Sequence, residues 1–364
     1  MGTFTLDTLP SPIVQAPMAG GPSTPALAAA VSGAGGLGFL AAGYKTVDAV
    51  RDELVQLRAL LAEGLPFGVN VFAPPGPSAD PARVAAYART LRGEAERTGA
   101  ALGEPRWDDD RYGEKLDLLC AEKVPVVSFV FGCPTPADVR RLHESGASVW
   151  VTVTTADEAG VAAAAGADAL VVQGVEAGGH RGGFDDEMPG EVGLLALLQL
   201  VRRSVGSELA LVAAGGIATG EAVAGVLAAG ADAAQLGTAF LLCPEAATVA
   251  VHREALAHGV APTALTRAFT GRTARGVVNR FLREHSSDAP TGYPEVHHLT
   301  QPLRVAARQH GDPDGVHLWA GQAYPLAEPL PAAEVVHLLV EAAGAALAQA
   351  AARLRGAASD PQAG

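Results

Sequence analysis

One imidazole stands alone in a glycine-rich string. His180 lies within QGVEAGGHRGG, from Gln173 to Gly183, which holds five glycines. So much glycine costs conformational entropy unless the backbone must lie close to something flat or charged. His180 is also the only histidine at the end of an apolar run that reads as a strand. The others sit on expected helices or between residues 252 and 317, where structural roles are expected. A histidine so placed can orient an anion or move a proton. Glu176, four residues earlier, could orient it or cap a turn.

Two further strings add an anion site. AAGGIATGEA (213–222) and QLGTAF (235–240) each put glycine directly after an apolar run, and a helix is expected after Thr219. Backbone N–H groups and a helix N-terminus then suit a phosphate. Asn70 ends the apolar run FGVNVF, and Gln173 and Gln235 end two others. Three amides at one mouth offer donors and acceptors to a flat heteroaromatic ring, so FMN is the economical ligand.

These residues need a scaffold that gathers strand ends. Eight apolar runs alternate with helical periodicity: 13–16, 36–41, 67–72, 124–131, 148–153, 169–174, 209–214 and 233–238. Several are apolar on both faces, as covered parallel strands are. Thr46, Thr135 before Pro136, and the Thr155–Glu158 capping box mark helix starts. The phrases beginning at Ser32, Ser145, Ala165 and Ala229 place glycine at helix ends just before strands. The expected fold is an α/β (β/α)8 barrel with its site at the C-terminal strand ends. Residues 1–240 and 325–355 make the barrel, 241–324 a smaller, mainly helical lid, and 356–364 a flexible tail. The Pro-rich stretch after residue 73 is longer than an ordinary βα loop.

Composition narrows the function. The 364 residues carry 26 basic and 39 acidic side chains, a net charge of -13, which works against nucleic acid or an anionic membrane as partner. No uninterrupted apolar run reaches the ~20 residues of a membrane span. MGTFTLDTLP lacks a basic segment followed by an apolar one, so a cytoplasmic protein, monomeric or homodimeric, is expected. Cys120, Cys133 and Cys243 lack metal or disulfide spacing and read as reduced thiols.

The strings at 12–44, 67–74, 174–183, 212–246 and 269–281 resemble the class I nitronate monooxygenases, and GVEAGGHRGG is the most telling of them. The resemblance covers residues 12 to about 325. It implies an FMN enzyme that oxidises alkyl nitronates of the propionate 3-nitronate type, or nitroalkanes, with O2 and no metal. By motif, Pro17, Met18, Asn70, Gln173 and Gly178 would surround the flavin. Gly215, Gly216, Gln235, Leu236, Gly237 and Thr238 would hold its phosphate, and His180 would be the active-site histidine. The family's lid uses tyrosines and a lysine for a substrate carboxylate, whereas no lysine follows Lys123 here. Tyr293, His297, His298, Arg304 and Arg308 are the candidates for those contacts. Two other readings stay open on the residues: a flavin-dependent enoyl-acyl-carrier-protein reductase or other NAD(P)H-dependent FMN oxidoreductase, and a non-redox phosphate-binding barrel enzyme.

Overall fold

The structure is a computed structural model that describes residues 4–73, 76 and 79–358. Pro74, Pro75, Pro77 and Ser78 of the Pro-rich stretch lie outside the described residues, as does the expected tail beyond Ala358.

All eight apolar runs form strands, each within the bounds read from the sequence. They are β1 (Ile13–Gln15), β2 (Gly38–Ala41), β3 (Phe67–Phe72), β4 (Val126–Val130), β5 (Ser148–Val153) and β6 (Ala169–Gln173). A two-residue β7 (Gly179–His180) intervenes before β8 (Ala210–Ala214) and β9 (Ala233–Leu236). The eight long strands are parallel in the order β1-β9-β8-β6-β5-β4-β3-β2. Gln15 N donates to Leu37 O at 2.9 Å and Leu37 N to Ile13 O at 2.9 Å, which joins the first strand to the second and closes a (β/α)8 barrel.

Helices α1 (Pro25–Gly33) and α2 (Val47–Leu60) follow β1 and β2, and α3 (Pro81–Thr90), α4 (Arg92–Thr98) and α5 (Tyr112–Ala121) all follow β3. Then α6 (Pro136–Glu144), α7 (Ala156–Ala165), α8 (Leu194–Val205) and α9 (Gly220–Ala228) alternate with strands. Local chemistry sets their ends. Thr46 Oγ1 accepts from Ala49 N, and Thr135 with Asp138 forms a reciprocal capping box. Thr155 accepts from Glu158 N, but the expected reciprocal bond is absent. The Glu158 carboxylate instead accepts from Thr154 N and from Phe184 N, tying the histidine loop to α7. Gly35, Gly146, Gly166 and Gly230 all take φ between +88° and +98°, the left-handed helix exits read from the repeated phrase.

The barrel interior is filled by Val14, Leu37, Phe39, Val126, Trp150, Val171 and Val212, with Phe4, Leu6 and Leu9 packed against it. Trp150 is 1% exposed, and its ring lies 5.7 Å from Phe39. Truncating it to alanine is expected to cost about 3 to 5 kcal/mol, read as a lower denaturant midpoint with an unchanged slope.

Beyond β9 come α10 (Ala250–His258), β10 (Thr263–Thr266), β11 (Ala274–Val277), α11 (Arg280–His285) and α12 (Glu295–Gln309). β10, β11 and β7 form a separate antiparallel sheet that pairs His180 with Ala274. Val84, Tyr87 and Leu91, from α3 and the chain just after it, bury with Phe269, Phe281, Leu299 and Leu303 in one apolar cluster. The long excursion after β3 therefore packs on the segment after β9, which the linear reading kept apart. Glu94 on α4 pairs with Arg280 and, at 3.2 Å, with His285, both on α11.

The last described element is α13 (Ala332–Ala358), packed on α9, where a Cβ on Gly220 would meet Ala342 Cβ at 2.4 Å. Over Ala332–Arg355 this helix is long and apolar enough to span a membrane by length and composition, at a mean hydropathy of 1.5. A search for uninterrupted apolar runs misses it because Glu334, His337 and Glu341 interrupt an alanine-rich sequence.

Candidate active site

At the C-terminal ends of the barrel strands lies a cavity of about 530 Å³. Pro17, Met18, Asn70, Gln173, Gly178, His180, Gly215, Gly216, Gln235, Leu236, Gly237 and Thr238 all line it, so the residues expected around a flavin, its phosphate and the active-site histidine come to one place. The β1 loop is closed by Met18 N donating to Ser23 Oγ at 2.8 Å. Its two left-handed glycines, Gly20 and Gly21, turn the chain into α1. After β8, Gly215 and Gly216 are left-handed at φ +112° and +70°.

The backbone N–H groups of Gly216, Gly237 and Thr238 donate to no acceptor among the described residues. Unpaired donors converging from two loops fit a bound phosphate. Asn70 donates from Nδ2 to Ser128 Oγ at 2.9 Å, leaving Oδ1 without a described donor. Gln173 is more committed than its sequence position suggested. Its Oε1 accepts from Gly182 N and Arg181, and its Nε2 donates to His180 O at 3.1 Å. It secures the histidine loop and has little left for a ligand.

The glycines of that loop answer mainly to protein packing. A Cβ on Gly178 would stand 2.4 Å from Gly321 N, and one on Gly182 would stand 2.5 Å from Thr152 Cγ2. Only Gly179, at φ +74°, has open space with a left-handed backbone. Arg181, 1% exposed, holds the loop by donating to Gly174 O, Gln173 O and Gly190 O. Glu176 does not reach His180. Its carboxylate accepts from Leu194 N and caps α8.

His180 presents its ring among Phe131, Tyr293 and Trp319, with centroids 5.6, 6.0 and 5.5 Å away. Its Nε2 lies 2.9 Å from Thr270 Oγ1. Burial first, then the Arg272 and Arg304 guanidinium groups, lower its pKa to about 3, so the ring is neutral. Arg272 is itself buried, donates from Nε to Arg181 O at 3.1 Å, and stacks 4.2 Å over Phe131.

The opposite wall was legible only in part. His297, Arg304 and Arg308, three of the five candidates for a substrate carboxylate, line the cavity beside Gln301 and Trp319, and so do His252 and His317, which were expected to be structural. Tyr44, at φ +65°, stacks on His297 with centroids 4.4 Å apart and receives a bond from Tyr293 Oη at 3.2 Å. Burial, with Arg304 second, lowers His297 to about 2, and burial lowers His252 to about 4. His298 turns away to Asp108 at 2.7 Å, and Tyr293 packs behind the lining side chains. Among the described lining residues there is no carboxylate and no lysine, only arginine for charge. Arg304 is spent on Thr300 Oγ1 and His297 O, while among the described residues Arg308 donates only from Nε, to Arg304 O. The cavity therefore attracts an anion.

A family model described as nitronate monooxygenase matches residues 3–342. The chain belongs to the nitronate monooxygenase family. Members are flavin oxidoreductases, and this chain is an enzyme of that kind. It is 43% identical over 341 residues to a nitronate monooxygenase of Pseudomonas aeruginosa, covering 91% of this chain and 95% of that one. A nitronate monooxygenase of Paraburkholderia phytofirmans is 41% identical, covering 89% and 90%. Among solved structures, a nitroalkane oxidase from Streptomyces ansochromogenes superposes with a TM-score of 0.90 at 52% identity, covering 94% and 99%. FabK from Thermotoga maritima shares the fold at a TM-score of 0.73 and 28% identity, covering 96% and 97%. Within this family member the barrel supplies the glycine loops and the segment after β9 supplies the cationic wall.

Proposed function

We propose that the enzyme binds FMN at the β8 and β9 loops and oxidises alkyl nitronates of the propionate 3-nitronate type with O2. The observation that carries this is one cavity holding unpaired backbone donors, a neutral His180 and a wall whose only formal charges are arginines. Gly216, Gly237 and Thr238 hold the phosphate, and Asn70 and Gln235 face the ring. Bound FMN supplies the electron acceptor for the nitronate and is reoxidised by O2. The chain's own residues bind and orient. His180 borders the substrate space as a neutral ring that orients the nitronate by contact, while Phe131, Tyr293 and Trp319 limit water around it. Arg308, with free terminal nitrogens, takes a distal carboxylate.

The test is oxygen consumption by the yellow holoenzyme with propionate 3-nitronate, set beside anaerobic addition of NADH and NADPH. Rapid uptake of O2 with no bleaching by nicotinamide is expected. Bleaching by NAD(P)H without nitronate turnover would overturn the reading in favour of an NAD(P)H-dependent reductase. Arg308→Met is expected to raise KM for the carboxylated nitronate about 10- to 100-fold, and that for a simple alkyl nitronate by less, in steady-state oxygen uptake.

A further inference from the structure

We propose that Thr270 is a positioning residue that selects the tautomer of His180. It accepts from Nε2–H, so that the Nδ1 lone pair is left for the α-proton of a neutral nitroalkane. The inference rests on the nitronate-oxidation reading and adds to it how the histidine is prepared for the protonated form of the substrate.

Thr270 lies in the turn before β11 and is buried. Its hydroxyl carries one proton and stands among three partners. Nε2 of His180 is 2.9 Å away, Arg272 O is 3.2 Å away, and Arg272 N is 3.4 Å away. The carbonyl can only accept, and among the described residues Arg272 O receives no other donor. A buried carbonyl is satisfied when the hydroxyl proton goes to it. The oxygen's lone pairs then face Arg272 N and His180, and the ring must present Nε2–H to fill its place.

The backbone prevents another arrangement. His180 is paired with Ala274 across β7 and β11, and its carbonyl is held by Gln173. The ring is confined by Phe131 and Trp319. Nδ1 has no partner among the described residues. With a nitroalkane bound, the α-C–H bond breaks and its proton passes to Nδ1. The electron pair stays on the substrate and delocalises into the nitro group, which gives the nitronate. With the opposite tautomer, Nδ1–H would face the cavity and could accept nothing. A substrate supplied as nitronate has already lost that proton and bypasses the step.

The experiment compares wild type, Thr270→Val and Thr270→Ser holoenzymes with nitroethane and with ethyl nitronate. Valine keeps the shape and removes the hydroxyl, and it is expected to lower kcat/KM for nitroethane at least about tenfold. The loss with ethyl nitronate is smaller, and serine restores nitroethane turnover. Independently of turnover, ¹⁵N spectra of histidine-labelled wild type, with the His180 signal assigned by its loss in His180→Asn, should show Nε2 protonated. Equal losses with both substrates, failure of serine to rescue, or an Nδ1–H tautomer in wild type would overturn the proposal. If wild type consumes no oxygen with either substrate, the reaction itself is wrong, and the tautomer spectrum still decides the role of Thr270.

Discussion

Replacing His180 with asparagine is expected to leave the protein folded and flavin-bound while nitroethane turnover falls about 10²- to 10⁴-fold, the usual range for loss of a positioned base. Turnover of ethyl nitronate falls by a smaller factor, because its proton is already gone and no base is needed to remove it. Absorbance of the bound flavin and oxygen uptake, measured on one preparation, separate the effects. The pH profile sharpens the test. His180 has a pKa lowered from 6.5 to about 3, first by burial and then by Arg272 and Arg304. A group with a folded pKa this low is neutral across neutral and mildly acidic pH, so kcat/KM for the nitronate should show no histidine limb between pH 5 and 8. A limb near 6.5 that vanishes in the asparagine variant would show that the site leaves the ring ordinarily basic. Unchanged turnover of both substrates would remove His180 from the reaction.

Gly237→Leu is expected to yield a folded, colourless protein. A Cβ at this position would sit 3.4 Å from Ala16 Cβ and 3.8 Å from Met18 Sδ, which is ordinary contact, so the protein itself tolerates the first carbon. Gly237 is also in the right-handed region, at φ -108°, and needs no glycine for its backbone. The rest of a leucine side chain has to occupy the cavity where, on the proposed reading, the Gly237 and Thr238 N–H groups hold the phosphate. Losing two charge-assisted bonds of about 1.5 to 3 kcal/mol each weakens FMN retention by 10²-fold or more. The check is flavin content after desalting together with Tm of the apoprotein, which should stay close to that of wild-type apoprotein. Gly178→Ala is the contrasting variant, since its Cβ would strike Gly321 N at 2.4 Å and disturb the chain itself. Full flavin retention by Gly237→Leu would move the phosphate away from these loops.

The barrel was legible because its signals are local. Strands covered on both sides must be apolar throughout, and the left-handed exits at Gly35, Gly146, Gly166 and Gly230 demand glycine wherever they occur. The convergence of the strand-end residues on one cavity was legible for the same reason, since strand ends in this fold converge by construction. The glycine loop around His180 was read as room for a ligand, yet most of its glycines make room for Gly321, Thr152 and Glu158. Those neighbours are distant in sequence, and composition does not say which of two close approaches a glycine serves.

Sequence by itself determined the repeating βα unit, the helix caps, the glycine-rich strand ends and the single histidine beside them. Tertiary structure decided the other half of the site. On α12, Val296, Leu299 and Leu303 bury against Phe269 and Phe281, and that choice of face turns His297, Gln301, Arg304 and Arg308 toward the cavity. Tyr44, from the loop after β2, then meets His297 across some 250 residues of chain. A helix with polar side chains on several faces carries no local mark of which one is inward; the apolar partner it packs against settles that, and the partner exists only once the chain has folded.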